Sequence, residues 1–366
     1  DLPFGADISL AWNKSDTFQP DVSNRDPYGF RVKGAAGAGE DKSIRLGLFD
    51  GKFSLRYTEF ENTAGPARAG NVPYNRFRFT AAGPITRINA LAFGDSAKAI
   101  DSQYPDMWPA LGNGDPYWVT SNQKATGTEW GLDWRVNDNL TIRFNMNEQT
   151  VVESDIGVDW WEFLDTYLPQ WQSLTFPEGG IDQPRDLNGD GVIGTWNWNT
   201  AWRADNNSQT VANWWEQDAI AGSTGKNIIQ GLDGKSNDFV RDNRYNINWV
   251  YRFNEGRLKG FSVGGAYRYR AAPLLAYGKK SVPSGDAFDL DNAFYGVDTA
   301  LFDLSLNYRG KMDHFNFKSY RVGLNIRNLF DDDDIYPRLL NVNQEVIRAQ
   351  RVSEPRNIIL SLSFEM

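Results

Sequence analysis

Apolar and polar residues alternate with a period of two along most of the chain, and this alternation predicts β-strands. In the last segment, for example, Ile358, Leu360 and Leu362 are separated by single residues. One face of the predicted strands is rich in Tyr, Trp and Phe, and the other carries Arg, Asp, Asn and Ser. The pattern predicts ten strands, over 6–13, 42–49, 52–60, 127–136, 139–147, 245–253, 260–270, 299–308, 319–329 and 357–366.

Short turns and very long loops connect these strands in alternation. The short turns lie around Gly51, Asp138, Glu255 and Lys311. Compact soluble domains rarely contain long structureless loops, whereas membrane β-barrels combine short periplasmic turns with long extracellular loops. The sequence therefore predicts an all-β fold, a transmembrane antiparallel β-barrel, with a large soluble sandwich or propeller as the alternative. The predicted extracellular loops cover 14–38, 62–124, 150–240, 271–296 and 331–355, and 150–240 is the largest.

Composition fits a barrel and excludes several other classes of protein. Aromatic residues make up 14% of the 366 residues, Cys is absent and His314 is the one histidine. Without Cys, no disulfide, thiolate metal site or cysteine nucleophile is available. The formal net charge of −9 argues against a nucleic-acid partner. The chain contains no run of 18 apolar residues, so the sequence predicts no transmembrane helix. The chain opens at Asp1 without a recognisable signal peptide, so we expect a fragment of a longer protein.

Several segments resemble TonB-dependent outer-membrane receptors. The most specific one is near the C-terminus, where Gly323 to Asp331 reads GLNIRNLFD and Glu354-Pro355-Arg356 leads into the last strand. The hairpins from Glu40 to Leu55 and from Gly256 to Arg270 are also similar, as is the strand opening at Gly127. These segments span most of the chain from Glu40 onward, outside the long loops.

The resemblance implies the C-terminal part of a barrel of about 22 strands. On this interpretation 1–366 is a single, partial barrel domain, and the plug domain and N-terminal strands are absent from this sequence. It also implies the bacterial outer membrane as the location, with membrane lipid, lipopolysaccharide, the protein's own plug domain and the TonB energy-coupling complex as partners. The chain departs from the family in ending at Met366, where Phe or Trp is usual.

A candidate calcium site lies in the largest loop. Asp186, Asn188 and Asp190 occupy positions 1, 3 and 5 of a D-x-N-x-D-G-x-I sequence, and the carbonyl of Val192 would supply position 7. Position 12 is Asn197 instead of a bidentate Glu or Asp. The alternative is a Gly-Asp turn in a solvated loop.

Eight of the fourteen Trp residues lie in the same loop. Trp160, Phe163, Leu164 and neighbouring residues fall at helical spacing, which predicts one short loop helix with a packed face. Asp159 and Glu162 resemble a capping box, and Pro169 would bend or end the helix. Because aromatic rings stack on planar or sugar ligands, we take Trp196, Trp198 and Trp202 as candidate ligand contacts.

Three functions remain open at this stage. The first is a receptor that imports a siderophore, a carbohydrate or a similar nutrient with TonB-coupled energy. The second is a passive diffusion porin without a plug, and the third is an outer-membrane hydrolase. No catalytic residue is identified, because His314 lies in a predicted periplasmic turn, away from any extracellular pocket. Polar lumen residues would line the transport path or contact the plug, or would simply be solvated; they include Arg143, Arg252, Arg268, Arg270, Asp303, Arg321 and Arg327.

Overall fold

The structure is a computed structural model of the chain. It describes residues 3–20, 26, 28, 31, 34–68, 83–92, 119–181, 184–203, 209–221, 225–236, 240–282, 285–312, 317–333, 335–340, 346–352 and 354–365.

Ten antiparallel strands form one sheet in which every strand pairs with its neighbours along the chain. We number them β1 to β10, and together we call them the wall. They are β1 Asp7–Gln19, β2 Ala35–Leu48, β3 Phe53–Arg68, β4 Thr120–Arg135, β5 Leu140–Ser154, β6 Asn243–Arg252, β7 Phe261–Arg270, β8 Thr299–Lys311, β9 Ser319–Arg327 and β10 Asn357–Glu365.

Each predicted strand is confirmed, and the turns and loops alternate as predicted. Several strands extend further toward the long loops than the alternation indicated; β3, for example, continues to Arg68. In this extension the outward positions become charged, since Glu40 of β2 is opposite Glu61 of β3. The backbone ladder continues where the apolar alternation stops, because hydrogen bonding does not depend on which side chain faces outward.

The outward face of the wall is apolar and exposed, as a lipid-facing surface should be. Leu10 is 77% exposed and Leu360 is 74% exposed. Aromatic pairs lie toward both ends of the strands. Phe261 and Tyr308 are 4.4 Å apart near the short turns, and Tyr245 and Tyr269 are 4.8 Å apart near the long loops. This arrangement matches the two aromatic girdles of a membrane barrel.

The long loops contain more regular structure than the single helix that the sequence predicted. Three short hairpins pair Thr175–Pro177 with Thr195–Asn197, Leu274–Val282 with Gly285–Tyr295, and Ile335–Leu340 with Val346–Val352. The helical segments in these loops are 83–92, Val158–Ser173, Val211–Trp214, the π-helical Trp215–Ile220, and Lys226–Leu232. Two single 3-10 turns, Pro3–Gly5 and Gly256–Leu258, lie outside them.

The helix Val158–Ser173, which we call α1, confirms the predicted helix but not its predicted start. The residue that caps it is Gly157, with φ 68°, and no side chain caps its amides. The expected capping box is therefore wrong: Asp159 instead accepts a hydrogen bond from Thr120 at 3.2 Å. Pro169 lies inside the helix, which continues to Ser173.

The loops enclose a hydrophobic core that we call the cap core. It is centred on α1, where Trp160 is fully buried, and it includes Ile85 and Ile88 from 83–92. Tyr28, from the loop between β1 and β2, packs on Phe163 with ring centroids 5.5 Å apart. Among the residues that the structure describes, every buried hydrophobic residue lies outside the ten wall strands. The chain therefore buries its apolar residues in the cap and exposes them on the wall.

The NLFD sequence forms a polar clamp between β9 and β10. Asn328 is 2% exposed with φ 51°. Its side chain donates hydrogen bonds to the carbonyls of Asp332 and Glu354, both at 2.8 Å. Asp331 accepts from the backbone amide and the guanidinium of Arg356, at 3.0 and 3.1 Å. The motif residues therefore fix the point at which the chain enters the last strand.

In the described part of the chain, no helix is long and apolar enough to span a membrane.

Candidate ligand-binding site

The polar face of the wall carries a cavity near the extracellular ends of β6 and β7, which we call the upper cavity. Its volume is about 780 Å³. The alternation of each strand positions its lining, because residues opposite one another on neighbouring strands share a face. One row across the face contains Glu129, Asn147, Arg244 and Arg270 in register. The adjacent row contains Arg56 opposite Gly131.

The upper cavity is locally basic although the whole chain is acidic. Among the described residues that line it, Glu129 is the one acidic residue, against Arg56, Arg241, Arg244 and Arg270. Arg241 donates to the backbone carbonyls of Arg270 and Ala271. Such a surface attracts anions.

A second cavity of about 600 Å³, the lower cavity, lies toward the short turns. Asp133 and Arg143 form an ion pair across it at 2.8 Å. Both side chains are well exposed, so this pair contributes little to stability. Arg252, another predicted lumen residue, also lines this cavity. In the lower cavity the basic Arg143 is therefore paired with an acidic side chain. Among the described residues, Arg244 and Arg270 of the upper cavity form no such ion pair.

Two other predicted lumen residues form a pair with each other. Arg268 and Asp303 lie 2.9 Å apart, and Asp303 also accepts from the backbone amide of Asn328 at 3.0 Å. This carboxylate therefore links the wall to the clamp that holds β10. Its role in the structure is to hold the wall and the clamp together.

The candidate Trp contacts lie in different environments. Trp196 and Trp198 belong to the cap core, with 5% and 3% of their surface exposed. Trp198 packs on Trp215, and Trp196 packs on Trp202 with ring centroids 6.0 Å apart. Their burial corrects the expectation that they are open stacking surfaces. Trp202 is half-buried, so it alone of the three presents a partly open ring.

The candidate calcium loop is folded as a series of tight turns. Asp186 accepts from the amides of Gly189 and Gly191 at 2.6 and 2.7 Å, and Asp190 accepts from the amide of Val192 at 2.8 Å. These bonds, that from Gly191 above all, hold the pKa of the Asp186 carboxyl below its usual range. Its negative charge is therefore maintained at neutral pH.

Glu178 closes this loop and was not identified from the sequence. It is fully buried. One carboxylate oxygen accepts from the amides of Leu187 and Asn188 at 2.9 and 3.0 Å, and the other accepts from Gly194 at 3.1 Å. An isolated Glu before two glycines gives no sequence signal for this role. Glu178 therefore links the start of the loop, at Leu187 and Asn188, to its end at Gly194. In a complete calcium loop, the bidentate carboxylate at position 12 would make this link through the metal ion.

The donor set fits a hard cation in part. Asp186, Asn188 and Asp190 retain lone pairs beyond those used by the amides, because each side-chain oxygen can accept more than one hydrogen bond. Asn197, at position 12, instead accepts from Asn199 and Thr200. Within the described ranges, no group of three or more His, Cys, Asp or Glu side chains is positioned to hold a metal ion.

Sequence reasoning also missed Arg244 and Arg241. Arg244 directly precedes the predicted strand 245–253, and Arg241 lies in the loop before it. Extending the alternation by one residue would have placed Arg244 on the polar face. His314 lies outside the described residues, so its predicted position in a periplasmic turn is not tested.

Comparison with known proteins shows the fold. No protein-family model matches the sequence, and no curated protein matches it. Among solved structures, the pyoverdine outer membrane receptor FpvA from Pseudomonas aeruginosa PAO1 is 14% identical, with a TM-score of 0.51 over 98% of this chain and 34% of its own. The ferripyoverdine receptor of the outer membrane of P. aeruginosa, bound to ferripyoverdine, is 13% identical, with a TM-score of 0.50 over 97% of this chain and 30% of its own.

The protein therefore has the wall architecture of an outer-membrane receptor barrel. This confirms the predicted all-β fold with the antiparallel wall of a membrane barrel. The matched proteins are described as receptors of the outer membrane. The chain spans about a third of the length of these solved receptors, 30% and 34% of the two chains.

Proposed function

We propose that this chain is the C-terminal barrel part of a TonB-dependent transporter in the outer membrane. The transporter binds a scarce nutrient at its extracellular face and imports it with energy supplied by the TonB complex. The observation that carries the proposal is the ten-stranded wall, with short turns on one side and long structured loops on the other. The NLFD clamp supports it, because a family motif here has a defined structural role.

The edges of the wall support a longer barrel. Within the described residues, β1 and β10 each pair on one side only. Unpaired backbone groups at membrane depth cost several kcal/mol each, so an open edge does not persist in lipid. We therefore propose that further strands of the same protein close the barrel, around a plug domain, to about 22 strands.

A conductance experiment tests this proposal without knowledge of the nutrient. The full-length protein is inserted into planar lipid bilayers, and its binding to the purified periplasmic domain of TonB is measured in parallel. A plugged transporter gives no steady ion conductance and captures TonB. Open channels of constant conductance without TonB capture would establish a diffusion porin and overturn the proposal.

We also propose that the cap takes part in binding. Trp202, half-buried beside Trp196, would contact the nutrient, and the loop of Asp186, Asn188, Asp190 and Val192 would bind calcium and rigidify the cap. Titration with calcium, followed by limited proteolysis of the full-length protein, tests the metal. Protection of the loop at micromolar to millimolar calcium supports binding, and unchanged cleavage overturns it. The matched variant Asp186→Asn should lose the protection.

The outward charges at the extracellular level fit an outer leaflet of lipopolysaccharide. Lys42 pairs with Glu40 at 3.0 Å, and Lys124 pairs with Glu61 at 2.9 Å. These pairs lie above the aromatic residues Tyr57 and Trp130 along the strands. We propose that they lie at the level of the lipopolysaccharide head groups, since such charges are costly within the hydrocarbon region.

A further inference from the structure

Two neighbouring sectors of the outward face differ at the same distance from the short turns. β3 and β7 each begin after a short turn with an outward aromatic residue, Phe53 and Phe261. Six residues further along, β3 carries Glu59 whereas β7 carries Tyr267. The outward face of β3 is therefore charged at a level where that of β7 is still aromatic.

The sector over β2 to β5, which we call the charged sector, is exposed. Glu59 is opposite Lys42 of β2 and Thr128 of β4. Thr128 is in turn opposite Glu148 of β5. The sector over β6 to β8 is aromatic instead: Tyr267 packs on Tyr245 and Phe302, with ring centroids 5.8 and 4.5 Å apart.

Strand geometry gives the depth of these charges. A strand rises about 3.3 Å per residue and tilts by about 35–45° in a membrane barrel, so six residues correspond to roughly 15 Å across the membrane. The apolar band of a barrel is about 25 Å tall. If the band begins at the row of Phe53 and Phe261, Glu59 lies inside a band of that height. Because charges on the lipid face are costly there, the band beside the charged sector has to end lower.

The charged sector is suited to lipid head groups rather than to a protein partner. Lys42 pairs with Glu40 at 3.0 Å and Lys124 with Glu61 at 2.9 Å, and these four side chains remain 35–65% exposed. The charges are thus balanced within the wall and stay hydrated. The core of a protein interface is instead depleted in charged residues.

We propose that the outer leaflet is locally thinned beside β2 to β5, so that its polar head groups reach down to the charged sector. The leaflet keeps its full height beside the aromatic rings of β6 to β8. A short apolar span thins a bilayer at modest cost. This inference rests on the proposed membrane barrel and adds that its lipid boundary is uneven around the wall.

Spin labels at matched depths test this in the full-length protein, in vesicles that contain lipopolysaccharide. Thr128 and Leu304 both face outward, and each lies seven residues before the last residue of its strand, Arg135 or Lys311. A water-soluble nickel complex should reach a label at 128, whereas oxygen and not nickel should reach one at 304. Labels at 53 and 261 should give equal ratios of oxygen to nickel access.

A pair of substitutions tests whether the charges cause the thinning. Glu59→Leu with Glu148→Leu removes both acidic residues opposite Thr128, so nickel access at 128 should fall to the level at 304. Ser43→Leu with Thr58→Leu is the matched control, because it places the same side chains opposite one another on the lumen face. Unchanged nickel access in the first variant would overturn the role of the charges.

The labels also separate this inference from the transport proposal. Oxygen without nickel at 128 shows a leaflet of full height, and exclusion of both reagents shows a protein cover; either result overturns the thinning. Unequal ratios at 53 and 261 show a tilted barrel instead, which also overturns it. Oxygen access at Leu132, lower on β4, leaves the membrane barrel intact in each case, whereas nickel access there would contradict the barrel itself.

Discussion

The wall and the cap core use apolar residues in opposite ways. On the wall, Leu360 is 74% exposed, whereas in the cap Ile88 is fully buried. The wall presents its apolar side chains to lipid and its polar ones to the lumen. The cap has to exclude water from its own apolar residues, as a soluble domain does. One chain therefore follows two rules of burial, and the boundary between them is the extracellular end of the strands.

The largest expected effect comes from the cap core. Replacing Trp160, which is fully buried, with Ala should destabilise the cap by about 3–5 kcal/mol, because it leaves a large cavity among packed side chains. Limited proteolysis of 150–240 should then become rapid while the barrel stays folded.

The matched wall variant is Leu360→Ala. Lipid fills the space that the smaller side chain leaves, so its effect should be much smaller than that of Trp160→Ala. Equal losses of stability in the two variants would contradict the distinction between wall and cap core.

A charge on the lipid face should have the next largest effect. Leu306 faces outward beside Leu324 of β9, and Leu306→Arg should destabilise the folded barrel by about 2–4 kcal/mol if the residue lies near the membrane midplane. Denaturant unfolding in lipid vesicles measures this. Thr141→Arg, on the lumen side at the lower cavity, should be close to neutral. If the two variants behave alike, the assignment of the faces is wrong.

The clamp at the end of the wall should give a smaller effect. Asn328→Ala removes hydrogen bonds to buried backbone groups and should cost about 1–3 kcal/mol. The temperature at which the folded barrel is lost in a gel-shift assay should fall. Asn199→Ala, in an exposed part of the cap, serves as the control. An unchanged transition in Asn328→Ala would show that the NLFD residues do not hold β10 in place.

The smallest expected effect concerns pH and the turn at Asp186. Its pKa in the folded loop is lower than in the unfolded chain, so the charged carboxylate favours the folded turn above the ordinary pKa of about 4. This contribution is lost as pH falls through the lower, folded pKa. The protection of the Gly189 and Gly191 amides against hydrogen exchange, relative to the unfolded chain at the same pH, should therefore fall in acid. Asp186→Asn should show no such acid-dependent change, and an equal change in that variant would contradict the assignment.

The wall was predictable from the sequence because lipid imposes a strict alternation on each strand. From Ile358 to Phe364, each outward residue is apolar, and the pairing of β9 with β10 follows the same register. The extracellular extensions were not predictable in this way. There, water wets both faces, so Glu40 and Glu61 interrupt the apolar pattern although the ladder continues.

The cap and the site were only partly predictable. The helical spacing of Trp160 and Phe163 located α1, but the Gly157 cap depends on a left-handed backbone that the capping-box pattern did not indicate. Trp196 and Trp198 carried no sign of their burial, because contacts with distant segments such as 83–92 create it. The opposed pair Arg244 and Arg270 became visible only with the register of β6 and β7.

The most direct test of the account is the accessibility of β8 in the membrane. Because the chain contains no Cys, single Cys substitutions from 302 to 307 can each carry one nitroxide spin label in the full-length protein in lipid. If the wall spans the membrane, lipid-soluble oxygen reaches the labels at positions 302, 304 and 306, and a water-soluble nickel complex reaches those at 303, 305 and 307. Equal access of the nickel complex to all six positions would contradict a membrane-spanning wall.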